Sequence, residues 1–347
     1  MSMFRILSKG QPFVFEFIKV DLATVNAIKR IIQTEIEVIG FQGEDDSTVD
    51  IVENTGPLHN EIIAHRIGLI PIYFSEDETD NINPDDYVFE LQVENTNMTM
   101  LNVTTKDFKI KHNDILLSQK ETERLFPCDP ITKDWILITR LRPNEKLHII
   151  AKAIRSTARK HSGFMPVSQC SFYFVEDPAL ASQTDKLLDK ERAFYRNQYN
   201  DPTLIRFQIE SECALSPKYL VTRAITILSD KIDKTIAELG NNDSEYIKIK
   251  QDDTTRTFIF TNEDDSLGNY LQSNMHNHYI RDKKLTAKNK TVSYVGYVCP
   301  HPLENVMHLK IGIVDGINDA EFREVLIEHC RRSLIELEEL KSQWLLS

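Results

Sequence analysis

One structural unit is written twice along this chain. In the first copy an alternating strand, Phe13 to Phe17, runs through Asp21 into a helix over Leu22 to Glu37. Its closing half is the strand Ile205 to Ile209 and the helix Pro217 to Leu239. The second copy opens with Thr257 to Phe260, turns through Asn262 to Ser266, and enters a helix starting at Leu267. It closes with Met307 to Ile313 and the long helix Ala320 to Trp344. A duplicated unit ordinarily pairs its copies around a pseudo-two-fold axis. The expected fold is therefore α+β, with two dimerisation units, each an antiparallel sheet plus long helices, paired in one polypeptide.

The periodicities fill in this outline. Asp21 is placed to cap the first helix, where Leu22, Val25, Ile28, Ile32 and Ile36 form one stripe. Ser216 and Pro217 open the next long helix, and Gly240 follows it. The apolar faces predict a shared helical core built from Leu220, Ile227, Ile232, Ile236, Leu267, Gly268, Leu326, Leu334 and Leu337. Between the halves of the first copy, residues 42–175 read as a sheet-rich insert. Within it, Pro57 is expected to open a helix whose buried face is Ile62, Ile63 and Ile67, and Asp77 to Asp86 reads as an acidic surface loop. The expected organisation is thus 1–41 with 203–240 as the first unit, 42–175 as the insert, and 176–202 as a connecting loop. A linker at 241–244 then leads to the second unit at 245–347.

Charge and residue usage exclude several functions. Lys and Arg total 41 against 53 Asp and Glu among 347 residues, a net charge of −12. Extensive nucleic-acid binding rests on basic side chains that displace counterions, so little direct contact of that kind is expected. The 5 cysteines are odd in number and widely spaced, which points to a reducing, intracellular setting. Ile62 to Phe74, the most apolar stretch, is broken by His65 and Arg66, so no membrane partner is expected. No Cys-x-x-Cys, phosphate-cradling glycine loop, nucleophile elbow or His-Glu-x-x-His run occurs. The chain is accordingly expected to have no catalytic residues, no metal site and no cofactor. The acidic runs Glu44 to Ser47 and Glu263 to Ser266 read as solvated turns, with Asp265 or Ser266 capping the helix that follows. The basic stretch Lys152 to Lys160, continued by His161, has two open readings: a solvated strand end, or a dock for an acidic partner or a backbone phosphate.

Specific runs carry a resemblance. Asn26-Ala-Ile-Lys-Arg30, Glu53-Asn-Thr and His59-Asn-Glu-Ile-Ile-Ala-His-Arg-Ile-Gly-Leu-Ile-Pro71 resemble the third-largest subunit of eukaryotic RNA polymerase II and its archaeal D counterpart. Ala158-Arg-Lys-His-Ser-Gly-Phe-Met-Pro-Val167 is similar to the loop before the last insert strand of that family. Thr257 to Asn269 and Gly296 to Glu304 resemble the small partner subunit, archaeal L or the eukaryotic eleventh subunit.

The resemblance implies a non-catalytic platform like the bacterial alpha dimer, on which the two largest polymerase subunits and small polymerase subunits assemble. It places Asn26, Arg30, His65, Arg66, Lys160 and His161 at a subunit interface. It makes Gly268 and Asn269 structural, the glycine allowing close helix approach. Many relatives hold zinc or an iron–sulfur cluster with insert-domain cysteines, whereas here Cys128 and Cys170 stand alone. Cellular relatives keep the two subunits as separate chains, and fusion resembles the arrangement in large double-stranded DNA viruses of eukaryotes, which would put the protein in host cytoplasm or virion. The alternative is a free-standing, transcription-related interaction protein with the same fold.

Overall fold

Along the chain, β1 (Phe4–Ser8) and β2 (Phe13–Ile18) lead into α1 (Leu22–Thr34). Next come β3 (Val38–Gly40), β4 (Val49–Asn54), α2 (Asn60–Gly68), α3 (Glu76–Asn81), β5 (Tyr87–Glu94) and β6 (Leu101–Thr104). They are followed by β7 (Phe108–His112), β8 (Ile115–Leu116), α4 (Gln119–Leu125), β9 (Leu137–Leu141), β10 (Lys146–Lys152) and β11 (Ile154–Ser156). Then come β12 (Val167–Phe174), α5 (Pro178–Ala181), α6 (Leu187–Glu191), β13 (Leu204–Ser211) and α7 (Pro217–Leu239). The chain ends with β14 (Ile247–Asp252), β15 (Thr255–Thr261), α8 (Asp265–Met275), β16 (Val292–Val298), β17 (Val306–Ile313) and α9 (Asp319–Leu345). These elements come from a computed structural model that describes residues 2–44, 46–241, 244–252, 254–281, 291–301, 303–314 and 318–347. Asp45, Asn242, Asp243 and Pro302, which enter the expectations above, lie outside the described residues.

The residues divide into two compact units, Met1–Ile32 with Gln169–Ile209 and Leu220–Ser347, and Gln33–Ser168 with Glu210–Tyr219. In the first, two four-stranded sheets share one topology. Their orders are β1-β2-β13-β12 and β14-β15-β17-β16, so each copy arranges its strands first, second, fourth, third. β12, expected in the insert, is the edge strand of the first of these sheets, because its hydrogen-bonding neighbour is β13. Phe15, Phe17, Ile205, Phe207 and Ile209 are buried in the first sheet, and Phe258, Phe260, Met307, Leu309 and Ile311 in the second. On the opposite face of the same sheet from Phe15 and Phe17 lies a fully buried carboxylate. Glu16 accepts from Arg5 Nε at 2.7 Å and from Arg206 Nη2 at 2.8 Å, which supplies the partners a buried charge requires.

The long helices bury a stripe slightly turned from the expected one. On α7 the buried residues are Leu220, Val221, Ala224, Ile225, Leu228, Ile232, Thr235 and Leu239, while Ile227 and Ile236 are only half-buried. On α9, Phe322, Val325, Leu326, Leu337 and Trp344 are buried and Leu334 is half-buried. Each helical residue turns by about 100°, so a neighbour of a core position falls at the rim of the stripe. Trp344 fills an aromatic seat in the first copy's sheet, its ring centroid 4.7 Å from Phe15 and 4.9 Å from Phe4. Gln343 Oε1 accepts from the Met3 N–H at 2.8 Å beside it.

In the second unit the sheet order is β4-β10-β5-β7-β8, with the pairs β6-β9 and β11-β3. Its core gathers Phe41, Phe89, Phe108 and Phe126 with the aliphatic faces of β5 and β10. Three expectations are corrected here. α2 begins at Asn60 rather than Pro57, because Asn54 holds the preceding turn by donating to Leu58 O and accepting from the Gly56 N–H. Ile62 lies on the outer face of α2, 47% exposed, while Ile63, Ala64 and Ile67 face inward. The acidic stretch after Ser75 is helical, since Ser75 and Glu78 close a reciprocal capping box over the first turn of α3.

Two stability measurements follow. Trp344→Ala should cost about 3–5 kcal/mol in chemical denaturation, the usual range for emptying a large buried aromatic site. His329 on α9 is fully buried, and burial together with the His278 and Arg332 charges lowers its pKa to about 3. The unfolded imidazole protonates below about pH 6.5 and the folded one does not until about pH 3, so stability is lost as pH falls through that window. Glu336, raised by burial, contributes the opposite slope. His329→Leu should therefore be less acid-sensitive than the parent, by up to about 1.4 kcal/mol per pH unit in urea unfolding between pH 5.5 and 4.

Candidate subunit interface

The two opening helices are built alike. Asp21 Oδ1 accepts from the Ala23 N–H at 2.8 Å at the start of α1, and Asp264 Oδ1 accepts from the Ser266 N–H at 2.8 Å at the start of α8. The cap of α8 is thus Asp264, one residue before the pair expected to supply it. In both helices an asparagine stands five positions after the cap, Asn26 and Asn269.

α1 and α8 run antiparallel. Arg30, near the end of α1, donates from Nε to Ser266 Oγ at 2.9 Å, and its guanidinium lies 3.9 Å from Asp265 at the start of α8. At the other end Asn277, just past α8, donates to Asp21 Oδ2 at 2.6 Å. Asp21 therefore serves both as cap and as cross-helix acceptor. Burial is the main cause that raises its pKa, with the Asp201 carboxylate adding to it.

Asn26 and Asn269 fall midway between these locks and line one cavity of about 690 Å³. Asn277 and Ser273 continue its polar wall, Phe172 and Phe174 its apolar wall. Charged groups line it too: Lys19, Asp21 and the pair in which Arg281 donates to Asp201 Oδ2 at 2.6 Å, the guanidinium lying 4.4 Å over the Tyr199 ring. Amides beside aromatic rings and internally paired charges suit a polypeptide surface, since the amides both donate and accept.

Gly268 has its tight contact with the sheet rather than with another helix. A Cβ there would lie 2.5 Å from Tyr297 Cδ2 and 3.0 Å from Met307 Cγ, on β16 and β17.

In the second unit, His65 and Arg66 sit in the last turn of α2 and His161 follows β11. Both imidazoles converge on Glu44, with His65 Nε2 3.2 Å and His161 Nε2 3.4 Å from its two oxygens. His161 Nδ1 accepts from the Gly163 N–H at 3.1 Å, which leaves Nε2 as the protonated nitrogen facing Glu44. Close backbone packing makes this convergence possible. A Cβ on Gly43 would stand 2.1 Å from Ala64 O, and one on Gly163 2.8 Å from Gly68 O. Arg66 donates to Leu137 O at 2.6 Å, and Lys160 is exposed.

Of the basic stretch, Arg155 donates to the Thr79 and Ile82 carbonyls, so at that position it works as a structural tie within the unit. Cys170 is buried near Lys29 O with its thiol pushed up to about 12, which opposes the thiolate a metal needs, and Cys128 stands in the other unit.

An antiparallel helix pair set on two sheets of identical topology defines an alpha-like dimerisation fold. Two family models match the chain, both described as the RNA polymerase Rpb3/Rpb11 dimerisation domain, over residues 14–232 and 255–343. The chain belongs to this family and carries two of its domains. It is 24% identical over 287 residues to the DNA-directed RNA polymerases I and III subunit RPAC1 of Homo sapiens, covering 65% of this chain and 80% of that protein. It is 26% identical over 204 residues to the corresponding Dictyostelium discoideum subunit, covering 54% of this chain and 57% of that one. It is also 27% identical over 252 residues to the DNA-directed RNA polymerase subunit Rpo3 of Methanosphaera stadtmanae, covering 71% and 86%.

The helix lock is measurable. Arg30→Ala and Ser266→Ala should each destabilise by about 1 kcal/mol, and the double variant should lose less than their sum, with a coupling of about 0.5–1 kcal/mol in urea unfolding.

Proposed function

We propose that this chain is an assembly subunit of a DNA-directed RNA polymerase. In this reading it is an alpha-like dimer closed within one polypeptide, its first copy of the third-largest-subunit type and its second of the eleventh-subunit type. It is non-catalytic, and it docks the two largest polymerase subunits along with small ones. The single observation that carries the reading is the pair of dimerisation-domain matches in one chain, with α1 of the first joined to α8 of the second by the Arg30–Ser266 and Asn277–Asp21 bonds.

Several contacts support it. Lys231 on α7 donates across the copies to Glu263 Oε2 at 2.8 Å, and within the second copy the Tyr246 hydroxyl holds Glu263 Oε1 at 2.8 Å. Arg323 on α9 donates to the Leu239 carbonyl at the end of α7 at 2.8 Å. Fusion makes such pairing intramolecular, at an effective concentration on the order of millimolar, so it no longer depends on the supply of two separate chains. The docking face would be the cavity wall at Asn26 in the first unit. In the second unit it would be the exposed side chains of His65, Arg66 and Lys160 beside His161.

Affinity purification of the tagged chain from its native source tests the reading, with the two largest polymerase subunits expected to copurify. Their absence from the eluate would favour a free-standing interaction protein instead. Arg66→Ala and Asn26→Asp should leave the melting temperature nearly unchanged and reduce recovery of a large subunit, and equal recovery would remove those residues from the interface.

A further inference from the structure

We infer that the outer edge of β4, with the groove between it and α2, is a docking site for an extended, basic polypeptide segment that adds a strand to the insert sheet. β4 is the end strand of its sheet, paired with β10 on one side and, among the described residues, with no strand on the other. In an antiparallel strand alternate residues direct their N–H and C=O groups outward, so beyond Val49, whose N–H and C=O both bond the Ser47 hydroxyl, this edge offers a template for backbone pairing. Two of the strongest protections against such pairing, proline and lysine, are missing, although the edge carries Asp50 and Glu53 and a register slip. β4 is six residues long, about 20 Å of strand, and contains neither Pro nor Lys.

The groove beside the edge has a volume of about 830 Å³ and is lined by Ile51, Ile62, Glu44, Asp50 and Glu61 among others. Two exposures are otherwise unexplained. Ile62, on a helix whose neighbouring isoleucines are buried, is 47% exposed, and Val52 on β4 itself is 53% exposed. Val52 is also where the β4–β10 register slips, since His148 pairs with Glu53 and Ile149 with Ile51. Apolar side chains left in the open beside an unpaired edge supply pockets for alternate residues of an incoming strand. Charge selects the occupant, because Asp50 and Glu61 are exposed along the groove, Glu53 is exposed further along β4, and the basic side chain among the described lining residues, His65, already faces Glu44. An incoming strand of alternating Lys or Arg and aliphatic residues matches both the acidic rim and the isoleucine floor. This surface is read from the second unit alone and does not rest on the polymerase assignment.

The probe is a fluorescein-labelled hexapeptide of sequence Lys-Val-Arg-Val-Lys-Val, titrated with the full chain by fluorescence anisotropy at low salt. Saturable binding is expected, weakened about fivefold by Glu61→Lys, the scale of one rim charge pair lost and replaced by repulsion. Ile62→Ser should weaken it further. Both side chains are exposed, and circular dichroism confirms that the variants are folded. The same peptide with alternate amides N-methylated, made in both registers, should lose binding in one register. The inference is overturned by absent saturable binding, by equal binding of both N-methylated peptides, or by equal binding of a peptide with Glu in place of Lys and Arg. A dimer of the chain that dissociates on Ile62→Ser would also overturn it, by assigning the edge to a second copy.

Discussion

The burial of Trp344 against Phe4 and Phe15 is the contact on which the first unit's order most depends. It brings a residue near the end of the chain onto a sheet made near its beginning, and it orders a helix of 27 residues whose exposed face is dense in Glu, Lys and Arg. A helix with so narrow an apolar stripe draws most of its stability from what it packs on. Apolar burial is strong but indifferent to direction, so it does not by itself decide how the helices are registered. The polar bonds do that. Arg30 to Ser266, Asn277 to Asp21 and Lys231 to Glu263 each join residues far apart in sequence, and each is satisfied in only one register.

Buried carboxylates show the same division of labour. Glu16 lies between two arginines, and Glu263 between a lysine and a tyrosine hydroxyl. Neither pairing need add net stability, because desolvating the charges offsets much of their attraction. Shifting either strand or helix by one residue would leave a buried charge without its partner, at a cost of several kcal/mol. These groups act mainly by making wrong arrangements expensive.

Period and capping chemistry made much of the fold legible in the sequence. The duplicated strand-to-helix unit, the cap at Asp21, and the buried Leu220, Ile232, Leu267, Leu326 and Leu337 follow from local pattern. What local pattern missed has physical reasons. The acidic stretch after Ser75 reads as solvated loop by composition, yet the Ser75 and Glu78 spacing was there to signal a helix start. β12 looks like any half-buried strand, and only its long-range pairing with β13 assigns it to its sheet. Ile62 sits among isoleucines that share its chemistry but not its helical angle. At the candidate interface, His65 and His161 were visible but their common partner Glu44 was not, because it sits in an acidic run that resembles a solvated turn.

Aligning the two helices by their caps explains why the pairing joins unlike copies. With Asp21 set on Asp264, Leu22 corresponds to Asp265, Ala23 to Ser266, Asn26 to Asn269 and Arg30 to Ser273. In the observed pair Arg30 meets Ser266 and Asp265. Two first-copy helices in the same geometry would set each Arg30 against Leu22 and Ala23, which offer no side-chain acceptor, and would repeat that mismatch at both ends. Two second-copy helices would set Ser273 near Ser266 and Asp265, a weaker match that leaves the carboxylate without a cation. The central asparagines are common to all three combinations and carry no preference. Selectivity thus lies in the flanking positions, where a cation on one copy and a hydroxyl and carboxylate on the other exist only once each, and like-with-like pairing is disfavoured by what it leaves unsatisfied.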